Sequence, residues 1–123
     1  GNGYLTVRFA GSPEANGVYA YVGEVNGKPS YFQMPTPPHF GVHEILWDGS
    51  EWQLLDNVSG NELYDSPDAV DYPWLAVWTL GTTGVTPAPT VIAGAVQQAG
   101  AEELTLGSAS YNATTGILSV PIN

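Results

Sequence analysis

Ile45-Leu46-Trp47-Asp48-Gly49-Ser50-Glu51-Trp52 sets two apolar arms around an Asp-Gly pair. Asp-Gly between apolar runs is a strong short-range hairpin signal, because both residues tolerate the positive φ of a tight primed turn. If the arms pair, Trp47 and Trp52 lie close across the ladder. They then act either as an exposed aromatic platform or as the anchor of a core. The chain around them holds a series of similar turns, and that setting favours the core, with Tyr19 and Tyr31 as further core aromatics.

Outward from this hairpin the pattern repeats. Tyr4 to Phe9 alternates, with Tyr4, Thr6 and Arg8 on one face and Leu5, Val7 and Phe9 on the other, which predicts a first strand. A loop closing on Asn16-Gly17 leads to a second strand over Val18–Val22, with Tyr19 and Tyr21 on one face. Asn26-Gly27 makes the next hairpin turn and Pro29–Gln33 the third strand. Met34 to Phe40 carries Pro35, Pro37 and Pro38 and must be a loop, since proline cannot donate to a ladder. Val42–Trp47 and Trp52–Leu55 are strands four and five. A turn at Ser59-Gly60-Asn61 precedes a short strand at Glu62–Tyr64. Asp65 to Asp71 predicts one helical turn, with Ser66 as N-cap and Pro67 at its first position, ended by Tyr72-Pro73-Trp74. Trp78 falls in a last strand near Ala76–Leu80.

Composition shifts at Gly81. Residues 81–89, Gly-Thr-Thr-Gly-Val-Thr-Pro-Ala-Pro, read as an extended linker. It divides a compact antiparallel unit, 1–80, from a C-terminal β extension, 90–123. Strands are expected there at Thr90–Ala93, Leu104–Leu106 and Ile117–Val120. A short helix over Val91–Gln98 is the alternative, weakened by Gly94 and Gly100. The extension has one aromatic residue, Tyr111, too little for a core of its own. It is therefore expected to pack on the first unit or to add strands to a neighbouring chain. The fold class is all-β: an antiparallel, hairpin-built sheet or a small sandwich or barrel.

At 123 residues with 43% hydrophobic content, the chain can bury a real core. Its charge is unusual. Arg8 and Lys28 are the only basic side chains against 12 acidic ones, a formal net charge of −10. Two cations cannot track phosphates, so nucleic acid is excluded as an expected partner. No apolar run approaches the ~20 residues that span a bilayer, so membrane insertion is not expected. With no cysteine, disulfides, thiolate metal sites and cysteine nucleophiles are out. Gly1 fits a mature end, a trimmed end or a fragment boundary equally.

From Gly11 to Trp78 the signals come in a recognisable order. Gly-x4-Asn-Gly-x-Tyr (Gly11 to Tyr19) is followed by Asn-Gly-Lys-Pro-x-Tyr (Asn26 to Tyr31) and Trp-Asp-Gly-x-x-Trp (Trp47 to Trp52). Leu-Tyr-x-Ser-x-Asp-x-Val and Pro-Trp (Leu63 to Trp74) come next, then Trp78 and Thr86-Pro-Ala-Pro-Thr90. This series resembles a small β-module that recurs in tailed-phage and prophage structural proteins and in some large extracellular proteins. The resemblance spans roughly residues 11–90. It implies a virion or cell-exterior part and carries no catalytic residues.

Four tryptophans and seven tyrosines offer the main candidates for binding. Sugars present apolar C–H faces that stack on aromatic rings. Trp74, Trp78, Tyr72 and Tyr64 are the residues set down as ligand contacts, against the plainer reading that the rings fill a thin β core. Asp65, Asp68 and Asp71 resemble a sparse calcium loop but lack the glycine and the donor density calcium needs, so capping and solvation account for them and no metal site or cofactor is expected. His39 and His43 are four apart, but prolines exclude the helix that would join them at a metal. No Gly-x-Ser-x-Gly elbow exists. Glu44 and Glu51 facing across the hairpin would mimic a glycosidase pair, far from any evident cleft. Asn57-Val-Ser59 and Asn112-Ala-Thr114 are glycosylation sequons. The expectation is a non-enzymatic structural or decoration module of a virion, from the tail or head surface, in a virion or extracellular setting. It would assemble with copies of itself or another virion protein. The alternative is a carbohydrate-binding or adhesin module using exposed tryptophans, with glycans as partners.

Overall fold

The computed structural model describes residues 3–36 and 40–96. Eight strands form one antiparallel sheet that curls into a half-barrel. They are β1 (Tyr4–Arg8), β2 (Gly17–Val25), β3 (Lys28–Gln33), β4 (His43–Trp47), β5 (Trp52–Asp56), β6 (Glu62–Ser66), β7 (Thr79–Leu80) and β8 (Thr90–Ala93). The order across the sheet is β7-β6-β5-β4-β3-β2-β1-β8. Consecutive strands pair as hairpins from β1 to β7, and only β8 returns to the far side to pair with β1.

Register explains the core. Side chains directly opposite on paired strands share a face. One row therefore runs Tyr21–Tyr31–Ile45–Leu54–Tyr64 across β2 to β6. A second runs Ala93–Leu5–Tyr19–Gln33, and a third runs Trp47–Trp52–Ser66. Leu5, Val7, Tyr19, Tyr31, Ile45, Trp52, Leu54 and Tyr64 are fully buried, and Trp47 nearly so. Trp47 and Trp52 meet edge to face with centroids 5.7 Å apart. The first strand stops one residue short of the alternation, because Phe9 adopts a φ of 63° and turns out to solvent.

The Asn26-Gly27 and Asp48-Gly49 turns differ from each other. Asn26-Gly27 is a primed turn, with φ of 54° and 84° joining the Val25–Lys28 pair. Asp48-Gly49 is not, because only Gly49 has positive φ there. Residues 48–51 form a four-residue loop instead, closed by Asp48 N–H on the Glu51 carbonyl. The Asp48 carboxylate accepts from the Ser50 and Glu51 N–H groups at 2.8 Å. An Asp side chain that satisfies two turn amides removes the need for positive φ at its own position.

The helical turn expected at Asp65–Asp71 forms later. Asp65 and Ser66 remain in β6, and Ser66 Oγ accepts from Asp68 N–H in a local turn rather than a helix cap. The 3-10 turn is Pro73–Leu75, with Tyr72 at its N-cap and Pro73 in its first turn. The rule that places proline at a helix start applies to the second proline because pairing of Asp65 with Thr79 keeps the first stretch extended.

From Pro67 to Pro89 the chain leaves one end of the sheet and reaches the other, crossing its concave side. Pro73 and Trp78 are buried, and Val70, Trp74, Ala76 and Ala88 pack on the core. Residues 81–89, read from composition as a linker, are pinned to the sheet. Gly81 N–H and Thr83 N–H donate to Leu63 and Glu62 carbonyls, Val85 N–H to Ser12 Oγ, and Gly11 N–H to the Pro87 carbonyl. Thr90–Ala93 forms β8 on β1 of the same chain, not a helix. The expected strands at 104–106 and 117–120 lie outside the described residues.

Two glycines make this closure possible. A Cβ on Gly84 would collide with the Leu63 carbonyl, and one on Gly11 with the Thr86 carbonyl. Both obstacles are backbone and cannot rotate away. Gly11→Ala and Gly84→Ala are expected to lower the urea midpoint sharply. Gly3→Ala, with open space around it, should leave the midpoint unchanged.

Candidate functional site

β2 and β3 place Tyr21 and Tyr31 opposite each other, and the 3-10 turn brings Tyr72 and Trp74 over them. Tyr21 and Tyr31 meet edge to face at 5.9 Å, and Tyr31 and Trp74 do so at 6.2 Å. Tyr72 lies flat on Trp74, with centroids 4.7 Å apart and 10° between planes. Four rings thus run continuously from the core to the surface. Tyr31 is fully buried and its hydroxyl has no hydrogen-bond partner among the described residues. Burial pushes its pKa up, helped by Tyr72 and Tyr21.

The four proposed ligand contacts separate here. Tyr72 is 37% exposed and Trp74 is half-buried. Trp78 is buried, with its indole N–H donating to the Pro73 carbonyl at 3.0 Å. Tyr64 is fully buried, and its hydroxyl donates to the Val85 carbonyl and accepts from Ser12 N–H. Neither Trp78 nor Tyr64 presents a ring to a ligand. Both polar handles are consumed inside the fold, the usual arrangement for buried Tyr and Trp. The residues set down as core, Tyr19, Tyr31, Trp47 and Trp52, are all buried.

Beside Tyr72 the surface dips into a cleft of about 200 Å³ lined by Glu24, Gly27, Pro29, Asp71 and Tyr72. Lys28 reaches across to Asp71 at 3.4 Å, and its ammonium also lies 5.1 Å from the centre of the Trp47 ring. A larger cavity of about 350 Å³ lies at the other end of β2 and β3, between Pro13, Val18, Gln33, Met34 and Val96.

A second cluster is acidic. Glu51, Glu62 and Asp65 bring carboxylate oxygens within 4.8 Å of one another. The β5–β6 register sets Gln53 opposite Asp65, on the convex face, and Gln53 donates to Glu51 while Thr79 donates to Asp65. Glu51 therefore meets Glu62 and Asp65, not Glu44, which faces Leu55 and accepts from Asn57. Asp68 and Asp71 point elsewhere, to Val77 N–H and Lys28, so the sparse acidic run does not gather into a loop site. Three oxygens fall short of the about six to eight that calcium takes. Burial, followed by the hydrogen bond to Asp65 and the charge of Glu51, pushes the Glu62 carboxyl up to about 7. No local signal marks this trio, because Glu51 at the end of the β4–β5 loop reaches Glu62 and Asp65 only through the pairing of β5 with β6.

His43 is buried, its Nδ1 2.8 Å from Gln33 Oε1, and burial lowers its pKa. His39 lies outside the described residues, as does the sequon at Asn112. Asn57 of the other sequon is exposed. Comparison with protein-family models, with curated proteins and with solved structures gives no match.

Two tests follow from these environments. Glu62 binds its proton more tightly in the native chain than at its ordinary value of 4.5. Its favourable contribution is therefore complete below pH 4.5 and is lost as pH rises through about 7. His43, with its pKa lowered, acts in the opposite sense as pH falls through and below 6.5. Glu62→Gln should therefore remove a downward slope of stability between pH 4.5 and 7, read as the difference between the two urea-unfolding curves. Tyr31→Phe removes a buried hydroxyl without a partner among the described residues. It should leave stability unchanged or raise it by up to about 1 kcal/mol; a loss larger than that would mean the hydroxyl is satisfied.

Proposed function

We propose that this chain is a non-enzymatic structural module of a virion-type or cell-exterior assembly, working through β-sheet and apolar contacts with copies of itself or with another component. One observation carries the reading. The short edge strand β7 and the turn before it expose Leu75, Val77 and Leu80 at 57%, 71% and 47%. Single exposed apolar residues are ordinary, but three within six residues at an open sheet edge are the kind of surface that partners cover. The ordered turn-and-tryptophan series and the near absence of basic residues support the same setting.

A second reading, a carbohydrate-binding or adhesin module, is favoured by the Tyr72–Trp74 stack at the surface. Both readings leave the acidic trio outside catalysis, since Glu51, Glu62 and Asp65 border neither described cavity.

Light scattering on the full chain tests the first reading. A defined oligomer is expected, and Leu75→Lys with Val77→Lys should dissociate it while circular dichroism stays unchanged. A monodisperse monomer across the accessible concentration range would sink the proposal. Truncation is informative only after residue 96, because Val85 and β8 belong to the fold.

A further inference from the structure

We infer that the apolar cavity between Val18, Met34 and Val96 is the docking site of the chain's own C-terminal segment, residues 97–123, and that Leu104 and Leu106 are the side chains that enter it. The contact lies within one chain and is independent of the assembly reading above.

The path of the chain decides the occupant. After β8, Gly94 takes a φ of 90° and its N–H donates to the Tyr4 carbonyl at 2.9 Å. Thr6, fully buried, then holds the backbone against β1. Its Oγ1 donates to the Gly94 carbonyl at 2.7 Å and accepts from Val96 N–H at 2.8 Å. Thr6 lies opposite Val18 of β2, on the face of the sheet away from Leu5 and Val7. Val18 and Val96 both line the cavity of about 350 Å³. The last described residue is therefore itself a wall of the cavity, and residues 97–123 continue from that point.

The walls suit a pair of aliphatic side chains. Pro13, Val18, Met34 and Val96 supply apolar surface, and a methionine adapts its shape to what it meets. The polar side chains at the wall make no demand on an occupant. Asn16 is bonded to the Ala10 N–H and carbonyl, and Gln33 to the Glu14 and Asn16 carbonyls and the Val42 and His43 N–H groups. Leu104-Thr105-Leu106 holds the first large apolar pair after Val96 whose spacing puts both side chains on one face of an extended chain. Residues 97–103 connect it to the anchor, and closing that short loop costs less than reaching the later apolar run at 117–122. From residue 104 onward the chain has no charged side chain, so nothing in the docked stretch is repelled by Glu14 at the cavity wall. The tether supplies an effective concentration on the order of millimolar, which favours the chain's own segment over that of another copy.

The chain has no cysteine and a single methionine, so cross-linking and oxidation both report on one place in the full chain. Met34→Cys with Leu106→Cys should form a disulfide within one molecule under mild oxidation, seen as a monomer on a non-reducing gel and as a linked peptide by mass spectrometry. Ser50→Cys with Leu106→Cys should not, since Ser50 is exposed in the loop at the opposite end of β4. Independently, peroxide should oxidise Met34 about threefold or more faster in the double variant Leu104→Ser, Leu106→Ser than in the parent chain, because access governs the reaction. Leu118→Ser should leave that rate unchanged, and circular dichroism should show the sheet intact in both. Disulfides formed only between copies overturn the intramolecular contact, and equal linkage of the Met34 and Ser50 pairs overturns the site. Equal oxidation rates leave the cavity to an outside occupant and overturn docking. A rate raised by Leu118→Ser alone assigns the cavity to the later run and overturns the choice of Leu104 and Leu106.

Discussion

The curl of the sheet depends on one hydroxyl. Tyr64, in β6, accepts from Ser12 N–H at 2.9 Å and donates to the Val85 carbonyl at 2.6 Å. Ser12 follows β1, and Val85 belongs to the stretch that returns across the concave side. Three segments from opposite ends of the sheet therefore meet at one buried atom. A phenol suits this place because its ring fills the core row while its oxygen both gives and takes a bond. Ser12 Oγ completes the junction by accepting from Val85 N–H at 2.9 Å. Gly11 and Gly84 allow the backbones to approach closely enough for these bonds to form.

Gln33 performs a similar service at the other wall. Its amide donates to the Glu14 and Asn16 carbonyls, and its oxygen accepts from the Val42 and His43 N–H groups and from His43 Nδ1. A buried side-chain amide with several partners holds the β1–β2 loop to the start of β4. His43 is thereby a structural residue, its pKa lowered by burial. The two junctions together hold a thin sheet in a curved form, so that the loops at its rim, Tyr72 among them, are carried on a stiff frame.

The parts of this fold legible in the sequence are those set by local chemistry. Alternation at Tyr4–Arg8 and the Asn26-Gly27 turn each needed only neighbours along the chain, as did the apolar arms ending in Trp47 and Trp52. What failed to read depended on distant partners. Asp48-Gly49 resembles a primed turn until the Asp48 carboxylate takes up the turn amides. Ser66-Pro67 resembles a helix start, yet Asp65 pairs with Thr79 and stays extended. Residues 81–89 have a linker's composition, because glycine and small residues suit close backbone packing as well as flexibility. The site was half legible: Tyr72 and Trp74 stood out as rings beside proline, whereas Glu24 and Lys28 join them only through the β2–β3 hairpin. Trp78 and Tyr64 read as ligand contacts in the sequence, where nothing local reveals that their polar ends are bonded inside the fold.

The chain's two basic side chains are both spent at home. Arg8 lies 4.7 Å from the centre of the Phe9 ring and Lys28 5.1 Å from that of Trp47, with Asp71 alongside. Among the described residues each of these cations lies against a ring, and with a formal net charge of −10 the outer field is that of an acid. Two copies approaching each other repel over a distance that shortens with added salt, about 10 Å at 0.1 M and 3 Å at 1 M.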